Sequence, residues 1–195
     1  MPGAELWRIH STDRPATAMN PRAQPTARRG GRFDSLTGEY AYLYLGDSPG
    51  AAIAETLCRD LPLPGPGARL VPAAKLAGRV LSRVRVTAPI PLVTAHGGPA
   101  LSQLGQDTWL TKCEPNKYVL TRRWAAAIAG WAPEAAGLAY RCRHDEDSLA
   151  WMLSTAPNRL EHPSLAVGGV RIALDEPLGR SLVRLVLTQF NAGLE

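Results

Sequence analysis

The stretch from residue 30 to residue 55 concentrates residue types that bind and convert small charged molecules. Arg32 follows a flexible glycine pair, Tyr42 and Tyr44 come next, and Glu55 ends a run of small residues. The arginine side chain can hold a phosphate group through two parallel hydrogen bonds. Small residues beside a lone carboxylate leave space for a ligand. This stretch therefore predicts a ligand pocket in front of Glu55.

The same pattern also fits a purely structural interpretation of Glu55. This residue could be a solvated helix position, and Ala51 and Ala52 could serve close packing of a helix against a sheet. Pattern alone leaves both interpretations open.

Short elements are expected to position the arginine and the tyrosines. Residues 6–10 (LWRIH) alternate between apolar and polar and predict a first strand. Residues 11–31 form a polar run without periodicity, and loops of this length tend to be functional or mobile. Residues 41–46 (AYLYLG) predict a strand on which Tyr42 and Tyr44 point to the same side.

A helix is expected to carry Glu55. Ser48 is a favourable N-cap residue, and Pro49 suits the first helical position. Ile53 and Leu57 are four residues apart and share a face, so they should anchor this helix to the core.

The rest of the chain predicts a mixture of strands and helices. The expected elements are a loop at 62–67, two or three strands within 69–93, a helix over 121–131 that starts near 116, a strand at 137–142, a short helix at 147–153, a strand at 170–174 and a closing helix through 182–194. No internal repeat or linker is visible. We expect one α+β domain over residues 1–195, with its core in 6–175 and central mixed or antiparallel sheets flanked by helices.

Composition narrows the class of protein. The 195 residues are 45% hydrophobic and 20% charged, which suits one sizeable core. The 18 Gly and 17 Pro favour sharp connections and argue against a helical bundle. A net charge of +5 and a pI of 9.4 suit a nucleic acid, an anionic surface or a phosphate-bearing substrate as partner. They equally suit a sequence that uses Arg in place of Lys.

The cysteines and the apolar runs indicate the cellular compartment in which the protein is expected. Cys58, Cys113 and Cys142 are far apart, and an odd number without a secretory leader favours a reducing compartment over disulfides or a zinc site. No run approaches the roughly 20 apolar residues of a spanning helix. We expect a cytoplasmic protein with no metal site and no membrane association.

Several blocks of the sequence resemble the RES domain family. The most specific is formed by residues 31–34 (GRFD), 42–45 (YLYL) and 48–55 (SPGAAIAE). Residues 7–9 (WRI) resemble the family's opening strand, and residues 137–143 (GLAYRCR) resemble the segment that carries its serine. These blocks follow in order and cover most of the chain up to residue 153.

The resemblance implies a toxin of a bacterial toxin–antitoxin pair, with a fold similar to ADP-ribosyltransferases. Such proteins destroy NAD by cleaving the nicotinamide–ribose bond. By resemblance, Arg32, Tyr44 and Glu55 are the catalytic residues, while Arg8 and Tyr42 line the substrate site. An antitoxin partner, with which the chain could form an oligomer, is implied. No cofactor is implied, because NAD is the substrate, with water or inorganic phosphate as acceptor.

These residue types suit the chemistry that the resemblance implies. Guanidinium groups can anchor the pyrophosphate of NAD, and a tyrosine face can stack on the cationic nicotinamide ring. Positive charge grows on the ribose as the glycosidic bond breaks. A nearby carboxylate stabilises that charge and can orient the attacking nucleophile.

Cys142 is a departure from the family pattern, since it stands where the family serine is expected. We place it in the substrate site, although a thiol is a weaker hydrogen-bond partner than a hydroxyl. Ser148 is near enough in sequence to be confused with that position. Cys142 could also be a small buried strand residue.

Other functions remain open at this point. The first is a protein mono-ADP-ribosyltransferase on the same fold, and the second is a silent RES-like binding module whose mark of decay is Cys142. A basic nucleic-acid-binding domain is less favoured, because Arg22, Arg28 and Arg29 lack interleaved aromatic residues. We expect the acidic run at residues 144–147 (HDED) to begin a helix rather than to bind a metal.

Overall fold

A single seven-stranded sheet organises the computed structural model, which describes residues 2–27, 29–62 and 67–195. In spatial order the strands are β5 (Val93–Ala95), β6 (Gly137–Arg141), β7 (Leu149–Thr155), β2 (Ala41–Gly46), β1 (Glu5–Ser11), β4 (Arg79–Val86) and β8 (Leu165–Ala173). Neighbouring strands are antiparallel except for the parallel pair β5 and β6. A separate parallel pair joins β3 (Leu70–Val71) to β9 (Gly193–Leu194).

Helices cover the sheet in two groups. The helices are α1 (Pro49–Leu57), α2 (Gly98–Gln103), α3 (Trp109–Lys112), α4 (Tyr118–Trp131) and α5 (Pro177–Gln189), with 3-10 turns at Ala73–Leu76 and Pro115–Lys117. α1 and α5 share an apolar cluster that includes Ile53, Leu57 and Val183. α2, α3 and α4 contribute to a second cluster, which also contains Tyr42 and Tyr140 from the sheet. The fold is therefore α+β, as predicted, with a large mixed sheet flanked by helices.

The start of α1 shows how local sequence positions Glu55. Ser48 caps the helix, since its Oγ accepts a hydrogen bond of 3.0 Å from the Ala51 N–H. Gly46, at the end of β2, allows the helix to turn directly off the strand, because a Cβ there would lie 2.7 Å from the Ala52 nitrogen. Glu55 is thereby held close to the tyrosines of β2.

One predicted element is wrong. Residues 147–153, expected as a short helix, mostly belong to strand β7, which begins at Leu149. Leucine, alanine and methionine favour helix locally. β7, however, pairs along one edge with β2 and along the other with β6, so non-local hydrogen bonding overrides the local preference.

Other boundaries differ in smaller ways. α5 ends at Gln189 rather than near residue 194, because Asn191 adopts a left-handed φ of 49° and the chain enters β9. β8 starts at Leu165, ahead of the expected strand at 170–174. Of the expected loop at 62–67, residues 63–66 lie outside the described residues. Within the described ranges, no helix has both the length and the apolar character needed to cross a membrane.

Candidate active site

A cavity of about 240 Å³ lies where β1, β2, α1, α4, β6 and the segment before Phe33 meet. Its lining comprises Arg8, Ile9, Asn20, Gly30, Gly31, Arg32, Asp34, Tyr42, Leu43, Tyr44, Glu55, Thr56, Arg59, Tyr118 and Tyr140. Five of the six residues expected in the site from the sequence line this cavity. The sixth, Cys142, does not.

Arg32 and Glu55 form a buried ion pair in the cavity wall. The Arg32 Nη1 lies 3.6 Å from the Glu55 Oε2, and the two side chains are only 2% and 12% exposed. Burial alone would lower the pKa of Arg32, but the Glu55 carboxylate, with Tyr118 and Tyr140, outweighs it and leaves that pKa raised. Arg32 is therefore a permanent cation at this point of the wall.

Three aromatic rings surround the Arg32 guanidinium. Its Cζ lies 5.8, 5.5 and 5.7 Å from the ring centroids of Phe33, Tyr118 and Tyr140, within the range of cation–π attraction. The Arg32 Nε and Nη2 have no hydrogen-bond partner among the described residues. A buried guanidinium with two unpaired nitrogens on a cavity wall is suited to donate hydrogen bonds to anionic or carbonyl oxygens.

Glu55 is held by donors from β6 and the residues after it. The Tyr140 hydroxyl donates to Oε2 at 3.0 Å, and the Arg143 backbone N–H donates to Oε1 at 2.7 Å. Ala51 and Ala52 are buried and do not line the cavity, so the alanines serve packing. Glu55 itself is only 12% exposed, so it is not a solvated helix position.

Tyr44 connects its strand to the chain around Arg32. Its hydroxyl donates to the Asp34 Oδ1 at 2.7 Å and accepts from the Phe33 N–H at 3.0 Å. The Asp34 Oδ2 accepts from the Gly31 N–H at 2.7 Å. Burial, reinforced by Asp34, raises the pKa of Tyr44 well above its ordinary value, so the hydroxyl stays protonated. Tyr44 thus fixes the backbone on both sides of Arg32.

Tyr42 lies beside Tyr44, as the strand alternation predicted. Their ring centroids are 6.1 Å apart in an edge-to-face arrangement. The Tyr42 hydroxyl donates to the Arg22 carbonyl at 3.1 Å and accepts from the Asn20 side-chain amide at 3.0 Å. Burial, and next the charge of Asp34, raises the pKa of Tyr42.

Arg8 brings a second guanidinium to the cavity from β1. Its Nη1 donates to the carbonyls of Ala16 and Ala18, at 2.7 and 2.6 Å. Burial, and next the charge of Arg14, lowers the pKa of Arg8 to about 10. Arg8 remains charged at neutral pH and adds positive potential to the wall.

Cys142 lies in the core rather than on the cavity surface. Its side chain is fully buried in the cluster shared by α2, α3 and α4. Its N–H donates to the Ser148 carbonyl at 3.1 Å, and its carbonyl accepts from the Lys112 ammonium. Burial, and next the charge of Glu55, raises the pKa of the thiol. A substrate-binding role for Cys142 stays a prediction.

Among the lining residues that sequence reasoning missed, four have charged or phenolic side chains. They are Asp34, Arg59, Tyr118 and Tyr140. Asp34 and Tyr140 lie inside the blocks that carried the family resemblance, which was a signal for both. Tyr118 is fully buried, and its hydroxyl has no partner among the described residues. Nothing in its sequence position before the alanine-rich helix distinguishes it from a core residue.

The site is thus an arginine–glutamate pair among tyrosines on a mixed sheet. The sequence pattern of the RES domain family matches residues 5–174, and the chain belongs to this family. Among solved structures, the chain is similar to one in the crystal structure of the M. tuberculosis MbcT–MbcA toxin–antitoxin complex. The TM-score is 0.58 at 16% identity, over 93% of this chain and 89% of that chain. No curated protein matches the sequence.

Proposed function

We propose that this protein is a toxin-type enzyme that degrades NAD by cleaving its nicotinamide–ribose bond, with water or inorganic phosphate as acceptor. The observation that carries the proposal is the buried Arg32–Glu55 pair on the wall of a tyrosine-lined cavity. Family membership over residues 5–174 supports it.

In this proposal, arginine side chains on one side of the cavity bind NAD. The unpaired Nε and Nη2 of Arg32 can donate to oxygens of the substrate, and Arg8 adds positive charge to the same wall. Arg59 also lines this wall, with its guanidinium ion-paired to Asp60 at 2.9 Å. Guanidinium groups match the doubly charged pyrophosphate in geometry and in sign. This wall suits a dinucleotide better than a neutral nucleoside.

The aromatic side of the cavity suits the nicotinamide ring. Tyr44, Tyr118 and Tyr140 are protonated phenols on the cavity wall, and of these three the Tyr44 ring is the one that is partly exposed for stacking. A flat cationic ring gains from stacking on such a surface, which also excludes water from the scissile bond.

Bond cleavage places its charge near Glu55. The C–N bond between ribose and nicotinamide breaks, and its electron pair leaves with the ring, which becomes neutral nicotinamide. The ribose carbon gains positive charge, which the Glu55 carboxylate stabilises. The oxygen of water or phosphate then forms the new bond to that carbon, and a proton of the water is released to solvent. Contacts from Tyr140 and Arg143 keep the carboxylate in place through these steps.

A toxin has to be silenced in its own cell, so the proposal includes a cognate antitoxin protein and a cytoplasmic location. Support comes from the structural neighbour, which was solved in a toxin–antitoxin complex. Association of the two proteins into a larger oligomer belongs to the same proposal.

Incubation of the purified protein with labelled NAD tests the reaction. Wild type should release nicotinamide together with ADP-ribose, or with ADP-ribose phosphate when phosphate is present. Glu55→Gln and Arg32→Lys should slow the release by roughly 100-fold or more. Glu134→Gln, which changes an exposed carboxylate away from the cavity, is the matched control and should behave as wild type. Label on the protein would indicate a transferase, and intact NAD in all samples would exclude the enzyme.

A further inference from the structure

Arg122, on α4, is a fully buried arginine outside the cavity lining. Its guanidinium donates to four backbone carbonyls of one segment. Nε bonds to Gly31 at 3.0 Å, and Nη2 bonds to Arg29 at 2.6 Å. Nη1 bonds to Gln24 and Thr26 at 2.6 and 2.7 Å. All of these carbonyls belong to the chain that leads into Arg32. We call its described residues, 20–27 and 29–31, the arm.

The arm has little backbone hydrogen bonding of its own. It is joined to neighbouring backbone at Asn20, which pairs with Tyr42, and at Gln24, which donates to the Ser35 carbonyl. No backbone–backbone hydrogen bond is formed by residues 25–27 or 29–31 within the described structure. A carbonyl that is withdrawn from water needs a donor, and Arg122 supplies one to the buried Gly31 carbonyl and to three partly buried carbonyls that have no strand partner in the described parts of the chain.

The residue before Arg122, Thr121, forms a hydrogen bond with the backbone of Arg32. The Thr121 Oγ donates to the Arg32 carbonyl at 2.6 Å. Adjacent residues of one helix therefore hold both the arm and the arginine that follows it. The fit at Gly30 is also close, since a Cβ at this residue, whose φ is 85°, would lie 3.0 Å from the Arg122 Nη2.

We propose that Arg122 is a positioning residue, which fixes the arm and so places the Arg32 guanidinium opposite Glu55 on the cavity wall. The arm contributes Asn20, Gly30 and Gly31 to that wall, so its placement also sets the shape of the cavity. The inference rests on the proposed function only for its kinetic consequence. Its structural consequence is independent of any substrate.

Two measurements on Arg122→Lys test this role. Lysine keeps the positive charge, but its single ammonium group cannot reproduce the hydrogen bonds that three guanidinium nitrogens make to four separate carbonyls. Hydrogen exchange followed by mass spectrometry should show faster exchange at hydrogen-bonded amides of the arm, among them those of Asn20, Gln24 and Gly31, with β4 and α5 unchanged. The kcat for NAD cleavage should fall by roughly 10- to 100-fold, because misplacement by about 1 Å has this effect on a reacting group. KM should change less than kcat.

Arg69→Lys is the matched control. Arg69 is also buried and also donates to backbone carbonyls, those of Pro62 and Phe190, but it does not contact the arm. Arg69→Lys should lower the melting temperature without changing kcat or the rate of hydrogen exchange in the arm. Arg122→Gln, which removes the buried charge and keeps two amide donors, is the second variant in case lysine prevents folding.

The outcomes separate the two proposals. If wild type cleaves NAD and a folded Arg122 variant keeps the wild-type kcat, the positioning role is overturned. Failure of both Arg122 variants to fold overturns it too, because Arg122 would then support the whole fold rather than the arm. If wild type leaves NAD intact, the proposed function fails, and the exchange comparison alone decides whether Arg122 fixes the arm.

Discussion

Arg32 and Glu55 face each other across 3.6 Å with almost no access to solvent, and Glu55 is the ion-pair partner of Arg32 among the described residues. Removal of one member of a buried pair leaves an uncompensated charge, which costs far more free energy than the pair itself contributes. The two side chains are therefore coupled in stability as well as in chemistry.

This coupling gives a first prediction. Glu55→Gln alone and Arg32→Met alone should each lower the free energy of unfolding by about 3–5 kcal/mol. The double variant should lose clearly less than the sum, because it leaves no isolated charge. Urea unfolding of all four proteins measures the coupling. The exposed pair Arg83–Glu5, at 3.0 Å, is the control and should show a coupling of at most about 1 kcal/mol. Additive losses at Arg32 and Glu55 would contradict the buried coupling.

A second prediction concerns Gly31. A Cβ at this position would lie 2.7 Å from the Tyr44 Oη and 2.8 Å from the Asp34 Oδ1. Gly31→Ala should therefore separate Tyr44 from Asp34, lower stability by about 1–3 kcal/mol and slow NAD cleavage by roughly 100-fold. Gly98→Ala, which meets open space at the first position of α2, should leave both unchanged. Thermal unfolding and NAD consumption are the two measurements, and a Gly31→Ala protein as stable and active as wild type would refute the expected clash.

A third prediction follows from the place of Cys142 in the core. Cys142→Ser introduces the serine expected from the family resemblance, yet it puts a hydroxyl into apolar surroundings at a cost of about 1–3 kcal/mol. NAD cleavage should not increase. The buried thiol, with its raised pKa, should also resist thiol reagents until the protein unfolds. Faster cleavage by the serine variant would show instead that residue 142 influences the substrate.

A fourth prediction is a loss of stability in mild acid, which arises from His144. Burial, followed by the charges of Arg143 and Arg69, lowers the pKa of His144 from 6.5 to about 4. The His144 Nδ1 also accepts a hydrogen bond of 3.2 Å from the Arg69 guanidinium, and it can accept this bond only while the nitrogen is unprotonated. The unfolded chain binds this proton more readily than the folded protein between these two values, so stability is full above pH 6.5 and falls towards pH 4.

The loss attributable to His144 should be about 1–3 kcal/mol after allowance for partial exposure. Urea unfolding at about pH 7 and about pH 4.5 measures it. His144→Gln, which cannot take up a proton, should lose less stability over the same interval. Equal losses in the two proteins would assign the acid sensitivity to other groups.

Local signals in the sequence predict the elements that position the main site residues. Alternation in residues 6–10 and 41–46 gives β1 and β2, and Ser48 with Pro49 gives the start of α1. The resemblance adds the prediction that Arg32 and Glu55 belong to one site, whereas their ion pair is seen only in the structure. β7 was missed because its conformation is decided by two neighbouring strands that are distant in sequence.

The contributions of Tyr118 and Arg122 to the site could not be predicted for the same physical reason. Both residues lie on α4, and both contact groups that are distant in sequence: Tyr118 contacts Arg32, and Arg122 contacts carbonyls of the arm. A helix pattern specifies which face is apolar. It does not specify which distant backbone carbonyls a buried arginine will meet.

The hydrogen bonds at Glu55 have a consequence for synthesis in the cell. The donors from Tyr140 and Arg143 lie 85 and 88 residues after Glu55 in the chain. A nascent chain that has left the ribosome only as far as α1 carries the arginine and the glutamate but neither donor. Under the proposed function, the chain cannot cleave NAD until the residues up to Arg143 have emerged and folded, which leaves the proposed antitoxin time to bind it before its first turnover.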